Sequence, residues 1–182
     1  MQHCTIPNGT RVSRIEEGSM QTSTQDAASP PRADLRLLEI HQASDLPDWL
    51  SEDDLAGFLH EKMKPYEDRI PDIHRALQYA FSKAEGKGGL ILLATSREQI
   101  VGAIVFLHTG MQGYVPEDIL VFVGVDPQYR NQGIGGWLIQ EGLARCPGAV
   151  KLHVEYDNPA KRLYERLGFR SKYAEMRYQP EK

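Results

Sequence analysis

The chain has little cysteine, no long apolar run and no excess of basic charge, and each shortage excludes something. Only Cys4 and Cys146 occur in 182 residues, which gives neither a disulfide framework nor a CxxC pair for zinc. No run of about 18 apolar residues is present, so no membrane-spanning helix is expected. The N-terminus Met1-Gln2-His3-Cys4 lacks the basic-then-apolar order of a secretory signal, which points to a soluble, cytoplasmic protein without a membrane partner. A formal charge of −4 argues against a nucleic-acid partner held by phosphate neutralisation and suits a neutral or cationic substrate. His41, His60, His74 and His108 show no metal-ligand spacing, so no metal is expected.

What is present fits one globular domain with a tail, since 41% of residues are hydrophobic and 25% charged. Residues 1–33 are rich in Ser, Thr, Gln, Pro and Gly and read as a disordered tail. Within it, Gly18-Ser19-Met20 resembles a cloning scar before a second start methionine, which would make residues 1–19 vector-derived. Asn8-Gly9-Thr10 matches a glycosylation acceptor, a chance match in a cytosolic tail.

The domain reads as 34–182. Leu35, Leu37, Leu38 and Ile40 suggest a strand, and Ser51-Glu52-Asp53-Asp54 caps a helix carrying Leu55, Phe58, Leu59 and Met63 on one face. A second helix starts at Pro71, carries Ile73, Leu77, Phe81 and Ala84, and stops at Gly86-Lys87-Gly88-Gly89. Leu90 to Ala94 and Ile100 to His108 form a hairpin about Ser96-Arg97-Glu98-Gln99, and a third strand runs from Ile119 to Val125. Ile134, Leu138, Ile139 and Leu143 mark a helix ended by Pro147-Gly148. The alternating strand Val150 to Tyr156, a short helix Pro159 to Leu167 and a closing strand Phe169 to Tyr178 follow. This is a mixed α/β pattern with a strand-helix-strand crossover near its centre.

Val123-Gly124-Val125-Asp126-Pro127-Gln128-Tyr129-Arg130-Asn131-Gln132-Gly133-Ile134-Gly135-Gly136 passes from a strand through a turn into a helix start. Its glycines allow close backbone approach and the first helical N–H groups point outward, which makes an anion site suited to a pyrophosphate. Neither GxGxxG nor GxxxxGK[ST] fits, because this turn offers RxxGxGG.

The stretch resembles motif A of the GCN5-related N-acetyltransferase (GNAT) superfamily, whose Q/RxxGxG/A signature is met by Arg130, Gly133 and Gly135. A second block, Leu152 to Phe169, resembles the family's motif B, with its Asn, Ala, Tyr and Gly-Phe. One spacing departs: Asn158 lies six residues before Tyr164, where the family has seven. Either the loop is one residue shorter or Asp157 takes the Asn place. We favour the shorter loop, with Asn158 as N-cap and Pro159 at the first helical position.

The resemblance implies a mixed, mostly antiparallel sheet flanked by helices, with a splayed pair of strands that binds acyl-CoA. It implies acetyl-CoA as co-substrate and direct transfer of the acetyl group to a primary amine. Val123 and Val125 would pair with the pantetheine arm, with Gly124 between them part of the cofactor-binding stretch. Backbone N–H groups of Arg130, Asn131, Gln132, Gly133, Ile134, Gly135 and Gly136 would hold the pyrophosphate, and Asn158 would reach the pantetheine. Tyr164 matches the family's general acid. The base is open between Glu117, before the central strand, and His153, whose ordinary pKa suits the task better. The acceptor, a small-molecule or protein amine, would be shaped by the first two helices and the loop Thr109 to Pro116. A monomer and a homodimer are both open, as is a non-catalytic acyl-CoA-binding regulatory module.

Overall fold

The computed structural model describes residues 31–180. The tail reading of residues 1–30, with Gly18-Ser19-Met20 and Asn8-Gly9-Thr10, lies outside the described residues. The elements are β1 (Arg36–Ile40), α1 (Glu52–Met63), α2 (Ile70–Ala80), β2 (Gly89–Ser96), β3 (Gln99–His108), β4 (Asp118–Val125), α3 (Ile134–Arg145), β5 (Val150–Leu152) and α4 (Lys161–Arg166). They build a five-stranded sheet in sequence order. The first three pairings are antiparallel and β4 with β5 is parallel, a pairing that requires a crossover. The segment containing α3 supplies it.

Alternation along the strands creates two cores. Ile91, Leu93, Ala103 and Val105 face one side and pack under Leu55, Leu59, Ile73 and Leu77 of α1 and α2. Leu90, Leu92, Ile104 and Phe106 face the other and pack under Ile134, Leu138 and Ile139 of α3. The helix α3 comes so close to β3 that a Cβ on Gly142 would collide with the Phe106 ring. The helix α1 begins at the expected capping box: Asp54 N donates to Ser51 Oγ at 3.1 Å and Ser51 N donates to Asp54 Oδ2 at 3.1 Å.

Besides α4, which begins at Lys161 rather than Pro159, three elements differ from the sequence reading. The helix α2 ends at Ala80, short of Ala84, because Ser82 Oγ accepts from Ala84 N at 3.2 Å and turns the chain out of the helix. The strand β5 stops at Leu152, where its partner diverges. No closing strand forms among the described residues, and the chain from Arg170 to Pro180 is exposed. Its large apolar residues Tyr173, Met176 and Tyr178 are all exposed, although Ala174, Met176 and Tyr178 alternate with the charged Glu175 and Arg177. No buried face therefore fixes a register.

Candidate functional site

The pairing of β4 with β5 covers only Asp118↔Val150, Ile119↔Lys151 and Leu120↔Leu152. Beyond that point the strands part. On its other side β4 carries a bulge: the register moves from Val105↔Phe122 to Phe106↔Leu120, with Val121 the extra residue. A bulge bends its strand and raises local twist, which accounts for divergence at this position. Asp126 N donates to Val101 O at 2.9 Å. By the alternation of an antiparallel ladder, the N–H and C=O groups of Val123 and Val125 then turn away from β3, toward the gap.

At the end of β4 the chain makes a short 3₁₀ turn, Pro127–Tyr129, and enters α3 through two residues of positive φ, Asn131 at 61° and Gly133 at 82°. Gly133 is the helix N-cap and, among the described residues, no side chain caps α3. Its first-turn N–H groups are thus left to an outside acceptor. A Cβ built on Gly135 would lie 3.5 Å from Val125 Cγ2 and 3.7 Å from Leu163 Cδ2, so the helix start, the end of β4 and α4 converge on one narrow space.

The turn is braced from two directions. Arg130 Nε donates to Val125 O at 3.0 Å and its second nitrogen to Lys62 O at 2.7 Å. Its side chain is a strut between α1 and β4. Lys62 Nζ lies 2.8 Å from Asp126 Oδ2, and that contact holds the Asp126 carboxyl below its ordinary range. From the N-terminal flank, Arg32 stacks over the Tyr129 ring at 5.2 Å and donates to Gln132 Oε1 at 3.2 Å. Sequence reasoning missed Arg32, Tyr129 and the Lys62–Asp126 pair. A basic residue beside Pro30-Pro31 was the one signal for the first.

Near the gap lie Tyr164, His153 and Asn158. Tyr164 packs edge-on to Phe169, with centroids 6.0 Å apart. Burial first, then the Glu155 charge, pushes its phenol up to about 12, so it keeps its proton at any working pH. His153 follows the last residue of β5, half exposed, with Nδ1 3.9 Å from Glu175 Oε2. Asn158 Oδ1 accepts from Ala160 N at 2.9 Å, and Lys161 N and Arg162 N donate to the carbonyls of Asn158 and Pro159. It therefore caps a turn that leads into α4 two residues later than its spacing predicts. Tyr66 of the α1–α2 connection donates to Asp157 O at 3.3 Å, bridging to this loop.

The structure separates Glu117 from this group. It precedes β4, at the end away from α3's first turn, and its carboxylate accepts from Ala149 N at 2.8 Å and Gly113 N at 3.3 Å. Backbone hydrogen bonds, its own and those of Ala149 and Gly113, hold its pKa below the ordinary value, which makes it a weaker base. Among the described residues no group of three His, Cys, Asp or Glu side chains is arranged to hold a metal.

Comparison with known proteins gives a consistent picture. Residues 87–171 match the acetyltransferase (GNAT) domain family, which covers β2 through α4. A mycothiol acetyltransferase from Nocardiopsis dassonvillei is 35% identical over 98 residues, covering 48% of this chain and 30% of its own length. The chain spans less than a third of the length of the curated relatives it matches. Among solved structures, a possible acetyltransferase from Clostridium difficile 630 aligns with a TM-score of 0.58 at 19% identity, covering 81% of this chain and 99% of its own. An aminoglycoside N-acetyltransferase in complex with CoA aligns with a TM-score of 0.55 at 15% identity, over 80% of this chain and 94% of its own. At these identities the two structures speak for the fold alone.

Proposed function

We propose that this chain, whose residues 87–171 match the acetyltransferase (GNAT) domain family, transfers an acetyl group from acetyl-CoA to a primary amine on a small molecule. The observation that carries this reading is the junction of two unsatisfied backbone surfaces: the edge of β4 turned to the gap, and the uncapped first turn of α3. The pantetheine arm of CoA carries amides that can add to a strand edge, and its pyrophosphate suits a helix N-terminus.

In this reading Val123 offers N–H and C=O to the arm, whereas Val125 offers its N–H, its carbonyl being held by Arg130. Gly124 lies under α1, where a Cβ would make ordinary contact at 3.6 Å with Leu59, Lys62 and Phe58. Backbone N–H groups from Arg130 to Gly136 take the pyrophosphate. The thioester then falls where β4 and β5 part, between Val121 and His153. The amine nitrogen attacks the carbonyl carbon, the C–N bond forms, and the C–S bond breaks. Tyr164 gives its proton to the departing sulfur. The proton of the new ammonium leaves to His153 or through water. Asn158 contributes by fixing the loop before α4. For the acceptor, the name of the sequence relative, mycothiol acetyltransferase, favours a small-molecule amine.

The test is release of free thiol from acetyl-CoA across a panel of small-molecule amines, with mass detection of the acetylated product. Product with any of them supports the reading. Binding of CoA without thiol release across the panel would put a non-catalytic acyl-CoA-binding module in its place.

A further inference from the structure

Arg32 ties the N-terminal flank to the turn before α3, and its surroundings fix its geometry. Asp34 holds the guanidinium by two bonds, Nε to Oδ1 at 2.9 Å and Nη2 to Oδ2 at 3.1 Å. Ser96 Oγ donates to Asp34 Oδ2 at 3.0 Å, so the carboxylate is itself tied to β2. The plane that results lies over Tyr129 at 5.2 Å, and the remaining nitrogen, Nη1, donates to Gln132 Oε1 at 3.2 Å. Gln132 in turn donates from Nε2 to Gln128 O at 3.0 Å, stapling the turn across its width. Pro31 adds contact: a Cβ on Gly133 would lie 3.8 Å from its own. Thus Ser96, Asp34, Arg32, Gln132 and Gln128 form one chain of bonds from the sheet to the turn.

The turn needs such a brace. It contains two residues of positive φ, one of them not glycine, and the N–H groups it must present belong to backbone whose direction follows that geometry. A planar, forked and always charged guanidinium is suited to hold an aromatic face and an amide oxygen together. We propose that Arg32 is a positioning residue of the donor site: it holds Asp126–Gly133 in the form that presents the first N–H groups of α3 to the pyrophosphate, and bound CoA in turn holds residues 31–34 in place. The proposal rests on the reading of this turn as the CoA site. The coupling is reciprocal by thermodynamic necessity, since a brace that favours binding is favoured by it.

Calorimetry of CoA binding to the full chain tests this, with Gly135→Val as the control for the site. Arg32→Ala should weaken CoA binding by about three- to tenfold, a part of what one exposed cation–π contact plus one hydrogen bond contribute to holding the turn. Melting temperature should stay near that of the unaltered protein, and any thiol-releasing activity should show a raised KM for acetyl-CoA with kcat retained. Arg32→Lys should behave like Arg32→Ala, because an ammonium reproduces neither the fork nor the stacking. Dephospho-CoA should show the same fold-loss as CoA. Saturating CoA should slow tryptic cleavage after Arg32, read by mass spectrometry. Unchanged affinity in Arg32→Ala alongside a large loss in Gly135→Val would overturn the role of Arg32 and leave the CoA site standing. Full rescue by Arg32→Lys, or a loss confined to CoA over dephospho-CoA, would also overturn it, assigning Arg32 to direct phosphate attraction. Absence of CoA binding by the unaltered chain would instead sink the reading of the site itself.

Discussion

Leu120 and Leu152 are the last residues that β4 and β5 share. One position further on, Val121 is the extra residue of the bulge against β3, and His153 has left the ladder. The opening of the sheet therefore begins at a defect on the opposite edge of the same strand. From there it widens toward an uncapped helix start, and the predictions below depend on that geometry.

Tyr164→Phe keeps the ring and its edge contact with Phe169, so melting temperature should barely move. On the proposed reading, kcat should fall by about 10² to 10⁴, the usual cost of losing a general acid, with CoA affinity unchanged. Turnover near that of the unaltered protein would make Tyr164 a packing residue and send the proton to sulfur from elsewhere.

The pH dependence follows from the phenol at about 12. A raised pKa means the protonated form persists through the neutral and mildly basic range and is lost only as pH rises toward that value. The rate should therefore climb as the acceptor amine loses its proton and then level off, with no descending limb below about pH 10, the ordinary tyrosine value. A fall between pH 8 and 9, in protein shown to be folded, would contradict protonated Tyr164 as the acid.

Gly135→Val places two methyl groups beyond a Cβ that already stands 3.5 Å from Val125 and 3.7 Å from Leu163. They would occupy the space between helix start, strand end and α4. CoA affinity should drop at least tenfold while the fold persists, whereas Gly135→Ala, in ordinary contact, should bind almost normally. Calorimetry with parallel melting curves separates the two effects.

Gly142→Ala tests the packing of α3 on the sheet. The added Cβ would meet the Phe106 ring, and Phe106 is fully buried, so it cannot swing clear. The expected cost is about 1–3 kcal/mol, as for other overpacked cores, against the small gain in helix propensity. An unchanged denaturation midpoint would mean that α3 sits further from β3 than described.

Elements whose signals were strong and local were legible in the sequence. Ser51 and Asp54 announced the start of α1, Ile134 to Leu143 announced α3, and the apolar runs of β2, β3 and β4 carried their own boundaries to within a residue or two. The turn from Arg130 to Gly136 was legible because glycine spacing reports backbone shape directly. What escaped depends on partners distant in the chain. The extent of β5 is set by the bulge at Val121, which no property of residues 150–156 reveals. Arg32 looked like part of a polar tail, since its role exists only once Tyr129 and Gln132 are folded beneath it. The Glu117 carboxylate, chosen for its nearness to a strand, is committed to Gly113 in its own loop and to Ala149, a contact made across the crossover.

The pair of ties between Lys62 and the far end of β4, one through its carbonyl to Arg130 and one through its ammonium to Asp126, sets a limit on remodelling. A protein engineer seeking a new acceptor would look to the helices above the gap. Of these, α1 cannot be exchanged as a cassette, because its final turn forms part of the frame that shapes the turn before α3. The helix α2 has no such tie to that turn among the described residues, which makes it the freer place to graft new specificity.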